Sequence, residues 1–124
     1  MNGLTRWLPW GIIAISIVHT LYAFTMMPGA WGGIARAGVL NGIEGDADRE
    51  AALWFFYAGM GFLAIGTLAL KHVRATGGLP RQVAFYLLGI GGSMVVIEPA
   101  SGGWAVVVLG LLALEARRRE TATG

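Results

Sequence analysis

Two ionisable side chains lie in or beside apolar segments of this sequence, and they are the strongest candidates for chemistry. His19 lies within the apolar block 7–27, and Glu98 follows the apolar block 83–97. An imidazole exchanges protons near neutral pH. Burial disfavours a carboxylate anion, whereas a nearby imidazolium opposes that shift. His19 and Glu98 are therefore predicted to act as an acid and a base.

Five further side chains are predicted to surround a bound molecule near the same membrane depth. Counted from the nearest basic residue at about 1.5 Å per residue, His19, Tyr57 and Trp104 lie roughly 20 Å above the inner boundary. Glu98 lies about one turn higher, so its direct contact with His19 needs helix tilt or a bridging water. The predicted substrate-binding residues are Tyr22, Asn41, Trp54, Tyr57 and Trp104.

Helical spacing predicts which faces point inward, because residues three and four apart share one side of a helix. In a transmembrane bundle, stripes of polar or small residues face the interior of the bundle rather than the lipid. The predicted stripes are Ser16, His19 and Ala23; Trp54, Tyr57 and Gly61; and Gly91, Met94 and Glu98.

Each of these residues also has a structural explanation, which the sequence leaves open. His19 would then hydrogen-bond a neighbouring helix, and Glu98, beside Pro99, would be a hydrated helix end. Tryptophan and tyrosine are common in the interfacial belts of membrane proteins. Asn41 suits a turn or a cap.

No metal ion or cofactor is expected. The chain has no cysteine, and its two histidines, His19 and His72, are predicted on opposite sides of a membrane. One histidine with one carboxylate is too few ligands for a metal site. The charges are few and have no interleaved aromatic residues, which argues against nucleic-acid binding.

The elements that must position these side chains are predicted to be membrane-spanning helices. The chain is 56% hydrophobic and 13% charged, which is unlike a soluble globular protein. Four apolar blocks predict an all-α, polytopic membrane protein: a single domain, residues 1–124, forming an antiparallel four-helix transmembrane bundle. The predicted spans are 7–27, 51–70, 81–98 and 102–116.

Basic residues predict the orientation of these spans. Short cytoplasmic loops retain Lys and Arg. Both termini and the loop 71–80 are therefore predicted to be cytoplasmic, and the loop 28–50 external, with membrane lipids as partners. Seven of the nine basic residues follow this arrangement: Arg6, Lys71, Arg74, Arg81, Arg117, Arg118 and Arg119.

The external loop is predicted to contain a short interfacial helix between the first two spans. It opens with Pro28-Gly29 and continues with residues at helical spacing up to Asn41. Trp31 suits the membrane interface, with its ring in apolar material and its N–H in water. Trp31 and Asn41 would then cover a cavity that opens outward.

Short motifs along nearly the whole chain resemble those of one protein family. They are Arg6-Trp7, Trp10-Gly11, His19-Thr20, Trp31, Gly38, Asn41, Trp54-Phe55, Gly59, Leu79-Pro80, Pro99, Ser101-Gly102 and Trp104. The sequence resembles a bacterial, largely actinobacterial family of small four-helix integral membrane proteins of unknown function. The resemblance implies a four-helix membrane fold in the bacterial inner membrane and supplies no activity.

Three functions remain open from the sequence. The first is binding or converting a small lipophilic substrate by acid-base chemistry, as an isomerase or cyclase does, in an outer-leaflet pocket. The second is a proton-coupled small-molecule exporter. The third is a non-catalytic accessory subunit of another membrane protein, and glycine-rich helix faces would also allow a homo-oligomer.

Overall fold

The computed structural model describes all 124 residues and contains five helices and no strand. The helices are α1 (Gly3–Thr25), α2 (Pro28–Arg36), α3 (Ala47–Thr76), α4 (Arg81–Ile97) and α5 (Gly103–Thr123). The all-α prediction is confirmed. The short helix expected between the first two long helices is α2.

Local sequence signals explain where several of these helices begin and end. The side chains of Asn2 and Asp46 each accept a hydrogen bond of 3.0 Å from the backbone N–H three residues later, which caps α1 and α3. Pro28 is the first residue of α2, where a missing N–H costs nothing. Gly77, with φ of +76°, follows α3 in a left-handed conformation that glycine adopts without strain.

Two helices are long and apolar enough to cross a membrane. They are α1, with 23 residues and a mean hydropathy of 1.5, and α3, with 30 residues and a mean hydropathy of 1.7. The apolar helix α4 has 17 residues, a length of about 26 Å against a hydrocarbon core of about 30 Å. The last turns of α5 carry charged residues from Glu115 to Glu120.

The chain divides into two compact units. The first unit is Met1–Ile12 with Ile65–Gly124, and it includes all of α4 and α5. The second unit is Ile13–Ala64, and it includes all of α2. The predicted single transmembrane domain stays a prediction.

In the first unit, α4 and α5 approach each other at glycines. A β-carbon on Gly91 would lie 2.6 Å from the backbone nitrogen of Val107, and one on Gly103 would lie 2.8 Å from the β-carbon of Met94. Gly91 and Met94 of the third predicted stripe therefore face α5. Glu98, the last member of that stripe, is exposed. Small residues allow such close approach of helices.

In the second unit, α1 packs on the first half of α3. Ser16 and Ala23 of α1 are buried, as are Ala52 and Phe62 of α3. The first predicted stripe thus faces inward at Ser16 and Ala23. The second predicted stripe is corrected, because Trp54, Tyr57 and Gly61 are exposed.

Candidate functional site

His19 lies on α1 where that helix packs against α3. Its ring centroid is 5.7 Å from that of Phe55 and 5.2 Å from that of Phe62. Nδ1 lies 3.0 Å from the backbone carbonyl oxygen of Ile15. A carbonyl oxygen only accepts, so Nδ1 carries the proton in the neutral ring and Nε2 keeps its lone pair. His19 therefore presents one hydrogen-bond acceptor beside two aromatic rings.

Gly59 allows α3 to approach α1 closely beside His19. A β-carbon on Gly59 would lie 2.8 Å from the hydroxyl oxygen of Thr20 and 3.3 Å from the β-carbon of His19. Phe55, Gly59 and Phe62 follow helical spacing and so share one side of α3. This side, rather than the predicted side with Trp54 and Tyr57, contacts α1.

Aromatic rings continue from His19 toward the end of α1. Tyr22 stacks on Phe55, with ring centroids 4.7 Å apart, and is 40% exposed. Trp54 and Tyr57 lie on the exposed side of α3, with their ring centroids 6.4 Å apart. Phe56 contacts Tyr57 at 5.8 Å. The second unit therefore carries five aromatic side chains on α1 and the first half of α3, which we call the aromatic face: Tyr22, Trp54 and Tyr57 are exposed, and Phe55 and Phe56 are half-buried.

Trp31 of α2 holds the end of α1. Its Nε1–H donates a hydrogen bond of 2.9 Å to the backbone carbonyl of Ala23, one of the last carbonyls of that helix. Its ring stacks on Phe24, with centroids 4.7 Å apart, and meets Phe56 edge-on. The expectation of a hydrated Trp31 N–H is therefore wrong, because the folding back of α2 gives that N–H a protein partner.

The remaining predicted site residues, Asn41, Trp104 and Glu98, make local contacts. Asn41 has φ of +58° and donates a hydrogen bond to Glu44, which is the turn role that the sequence left open. Trp104 is exposed, and its Nε1–H donates to the carbonyl of Pro99 at 2.9 Å in the first unit. Glu98, also in the first unit, follows the last residue of α4. Its pairing with His19 stays a prediction.

The second unit also contains an open cleft of about 450 Å³ between α2 and the start of α3. Arg49 crosses part of it, pairing with Asp46 at 3.2 Å and donating to the carbonyl of Gly42 at 2.9 Å. A β-carbon on Gly33 would lie 2.7 Å from the Arg49 Nε. Arg49 thus holds the loop after α2 to α3. The predicted site residues do not line this cleft.

No group of three or more His, Asp or Glu side chains could hold a metal ion. What the structure shows for His19 is hydrogen bonding: Nδ1 donates to the Ile15 carbonyl, and Nε2 can accept.

A polar cluster in the first unit was missed by the sequence reasoning. One carboxylate oxygen of Glu120 accepts the Thr5 hydroxyl and, at 3.0 Å, the Leu79 N–H. Arg117 pairs with the other oxygen at 3.4 Å and donates to the Leu79 carbonyl at 3.1 Å. The only sequence signal was the three-residue spacing of Arg117 and Glu120 on one helix face. The cluster joins the N-terminal segment, the α3–α4 loop and the end of α5.

Comparison with known proteins identifies a family but no activity. A family model described as a family of unknown function (DUF6463) matches residues 3–120. No curated protein matches the chain, and no solved structure matches it. The match agrees with the predicted resemblance in that the family has no known function. Its bacterial distribution stays a prediction.

Proposed function

This chain belongs to the DUF6463 family of unknown function, and we propose that it is a multi-pass membrane protein that binds a lipophilic molecule on its aromatic face. His19 is the polar anchor in this proposal. Its Nε2 accepts a hydrogen bond from a hydroxyl or similar donor of the ligand. The second, third and fourth spans of the predicted bundle would be α3, α4 and α5.

Apolar surface exposed on the long helices supports the membrane location. Only 28% of the most apolar window of α1 and 22% of that of α3 are buried, whereas the core helix of a soluble protein is mostly buried. Val18 and Leu21 of α1 and Leu68 of α3 are each more than half exposed. Apolar side chains exposed in this way on two long helices favour lipid or a partner as their surroundings.

The Glu120 cluster supports cytoplasmic termini. It holds together three segments of the first unit that contain or adjoin basic residues. They are the N-terminal segment with Arg6, the α3–α4 loop between Arg74 and Arg81, and the end of α5 with Arg117, Arg118 and Arg119. Seven of the nine basic residues belong to that unit. In the second unit Arg36 and Arg49 are outnumbered by four acids, Glu44, Asp46, Asp48 and Glu50. The positive-inside rule then favours the first unit's ends as cytoplasmic.

The observation that carries the ligand proposal is the hydrogen bonding of His19. Nδ1 is held by Ile15, so the ring cannot turn its lone pair away without losing that bond. Every buried side-chain nitrogen or oxygen in the protein has a hydrogen-bond partner. Nε2 has none, so this atom is accessible from outside the protein. An accessible acceptor between Phe55 and Phe62 matches an apolar molecule with one donor group.

Photolabelling tests this proposal with a defined probe, a long-chain alcohol that carries a diazirine. The protein is reconstituted in vesicles, labelled and digested, and the labelled peptides are identified by mass spectrometry. We expect labelling of α1 and of the first half of α3, and a severalfold reduction in His19→Phe. His72→Phe is the matched control, because it replaces the other histidine, outside the aromatic face. Equal labelling of the wild type and His19→Phe would contradict the proposal.

An accessory role is the second candidate, and three glycines with open space at the β-carbon position favour it. β-Carbons on Gly61 of α3 and on Gly89 and Gly92 of α4 would meet nothing within 4 Å. Such positions allow another helix to approach closely. Co-purification of a stoichiometric membrane partner from native membranes, lost in Gly89→Leu with Gly92→Leu, would favour this candidate over ligand binding.

A further inference from the structure

We propose that the first unit binds an anionic phospholipid of the cytoplasmic leaflet, with Arg6 and Arg74 holding its phosphate. The inference rests on the membrane location proposed above, and it concerns a different unit from the aromatic face. The binding cleft, which we call the α1–α3 cleft, has a volume of about 480 Å³. It is lined by Met1, Arg6, Trp10, Leu70, Val73 and Arg74.

The two arginines of the α1–α3 cleft, Arg6 and Arg74, carry positive charges that no acidic side chain neutralises. Neither has a carboxylate oxygen within 4.0 Å, and no acidic residue lines the cleft. The guanidinium of Arg6 lies 5.6 Å from the ring centre of Trp7, which supports its position by a cation–π contact. A phosphate that entered the cleft would therefore meet two cations and no repelling anion.

A second arginine-lined cleft shows why the α1–α3 cleft is the better anion site. That cleft has a volume of about 340 Å³, and three arginines line it. Two of them are already paired: Arg117 with Glu120 and Arg118 with Glu115. Pairing of this kind reduces the attraction for an external anion, because the ligand would compete with an existing carboxylate.

The walls of the α1–α3 cleft favour a phospholipid over free phosphate. Leu70 and Val73 form an apolar wall on α3, and Trp10 presents a 45% exposed indole ring one turn after Arg6 on α1. Tryptophan is enriched at the level of lipid headgroups, where it meets both apolar and polar groups. Arg6 and Arg74 thus suit the phosphate, and Trp10 with Leu70 suits the first part of an acyl chain. Basic clefts between helices on the cytoplasmic side are typical headgroup sites.

Native mass spectrometry of the full-length protein in detergent tests the inference, with dioleoyl phosphatidylglycerol as the anionic probe and dioleoyl phosphatidylcholine as the zwitterionic one. We expect the wild type to bind phosphatidylglycerol at least about tenfold more tightly. Arg6→Gln with Arg74→Gln should lose most of this preference. Both side chains are exposed, so the variant should fold. Arg74→Gln alone should give an intermediate loss.

The matched control is Lys71→Gln with Arg81→Gln. It also removes two positive charges without a carboxylate partner from the first unit, at residues that do not line the α1–α3 cleft. We expect this control to keep the preference within about twofold, since general attraction to the surface falls off with distance from the charges. Equal losses in the two double variants would show a general charge effect and overturn the inference. An unchanged preference in the cleft variant would overturn it as well.

Two further measurements distinguish failure of the lipid site from failure of the proposed membrane location. Titration with glycerol 3-phosphate tests the free anion, and binding as tight as that of phosphatidylglycerol would overturn a lipid site. Alkaline extraction of membranes from the same expression cultures tests the membrane location. Release of the chain into the soluble fraction would overturn the proposed function. Retention in the membrane with loss of lipid selectivity would overturn only the lipid site.

Discussion

Gly59 of α3 lies against Thr20 of α1 so closely that a β-carbon on Gly59 would be 2.8 Å from the threonine hydroxyl oxygen. The same β-carbon would be 3.2 Å from the carbonyl oxygen of Ser16. Thr20 cannot easily turn aside, because its hydroxyl donates to that carbonyl at 3.0 Å. This contact sets the separation of the two helices beside His19.

Gly59→Ala should therefore destabilise the protein. The added methyl group has to displace a backbone carbonyl or a bonded hydroxyl, so we expect a loss of about 1 to 3 kcal/mol in the free energy of unfolding. Thermal unfolding in detergent measures this loss. Gly61→Ala is the matched control on the same helix, because its β-carbon would meet nothing within 4 Å. An equal effect of both substitutions would contradict the prediction.

Gly91→Ala should disrupt the packing of α4 on α5 more than Gly59→Ala disrupts that of α3 on α1. Its β-carbon would lie 2.6 Å from the Val107 nitrogen and 2.9 Å from the Gly103 carbonyl oxygen, and backbone atoms cannot rotate away. We expect a lower yield of folded protein and a lower unfolding temperature. Gly89→Ala, on the same helix with no neighbour within 4 Å, should leave both near the wild-type values.

Trp31→Phe should remove one hydrogen bond while keeping most of the ring contacts. The Ala23 carbonyl would lose its partner, so we expect a cost of about 1 kcal/mol. Trp54→Phe serves as the comparison, since Trp54 is 62% exposed. Its effect on chemical denaturation should be smaller than that of Trp31→Phe. The reverse order would show that the hydrogen bond to Ala23 does not stabilise the fold.

Glu120→Gln should weaken the hydrogen bonds and the ion pair that connect the N-terminal segment, the α3–α4 loop and α5. The carboxylate accepts from Thr5, Leu79 and Arg117, and an amide has one acceptor oxygen in place of two. We expect a loss of about 1 to 3 kcal/mol. Glu115→Gln, whose partners Arg118 and Arg119 are exposed, should leave the unfolding midpoint unchanged. A midpoint that is equally unchanged in Glu120→Gln would contradict the prediction.

Cysteine labelling tests the proposed topology directly, because the chain has no cysteine of its own. Leu40→Cys, at a 91% exposed position, should react with a membrane-impermeant maleimide in intact cells that express the protein. Thr123→Cys, at the exposed end of α5, should react only after the membrane is permeabilised. Labelling of both positions in intact cells would exclude the proposed orientation.

The main helices could be predicted from the sequence, whereas the contacting side of α3 could not. Apolar blocks and the Pro28 and Gly77 signals are local, so they indicate helices without knowledge of the fold. The side of α3 was predicted as Trp54, Tyr57 and Gly61, but the structure uses Phe55, Gly59 and Phe62. Almost every side of α3 is apolar, so hydrophobic periodicity carries little information on its rotation.

The sequence by itself determined an all-helical chain, the unequal distribution of basic residues and the presence of an isolated histidine in an apolar helix. These are properties of composition and of short segments. Only the tertiary structure decided which atoms meet: Trp31 with the Ala23 carbonyl, Glu120 with Thr5 and Leu79, and Gly59 with Thr20. The physical reason is that each helix turns by about 100° per residue, so that every side of an apolar helix presents residues that could pack. Which side packs depends on the fit to residues elsewhere in the chain, some of them more than a hundred positions away.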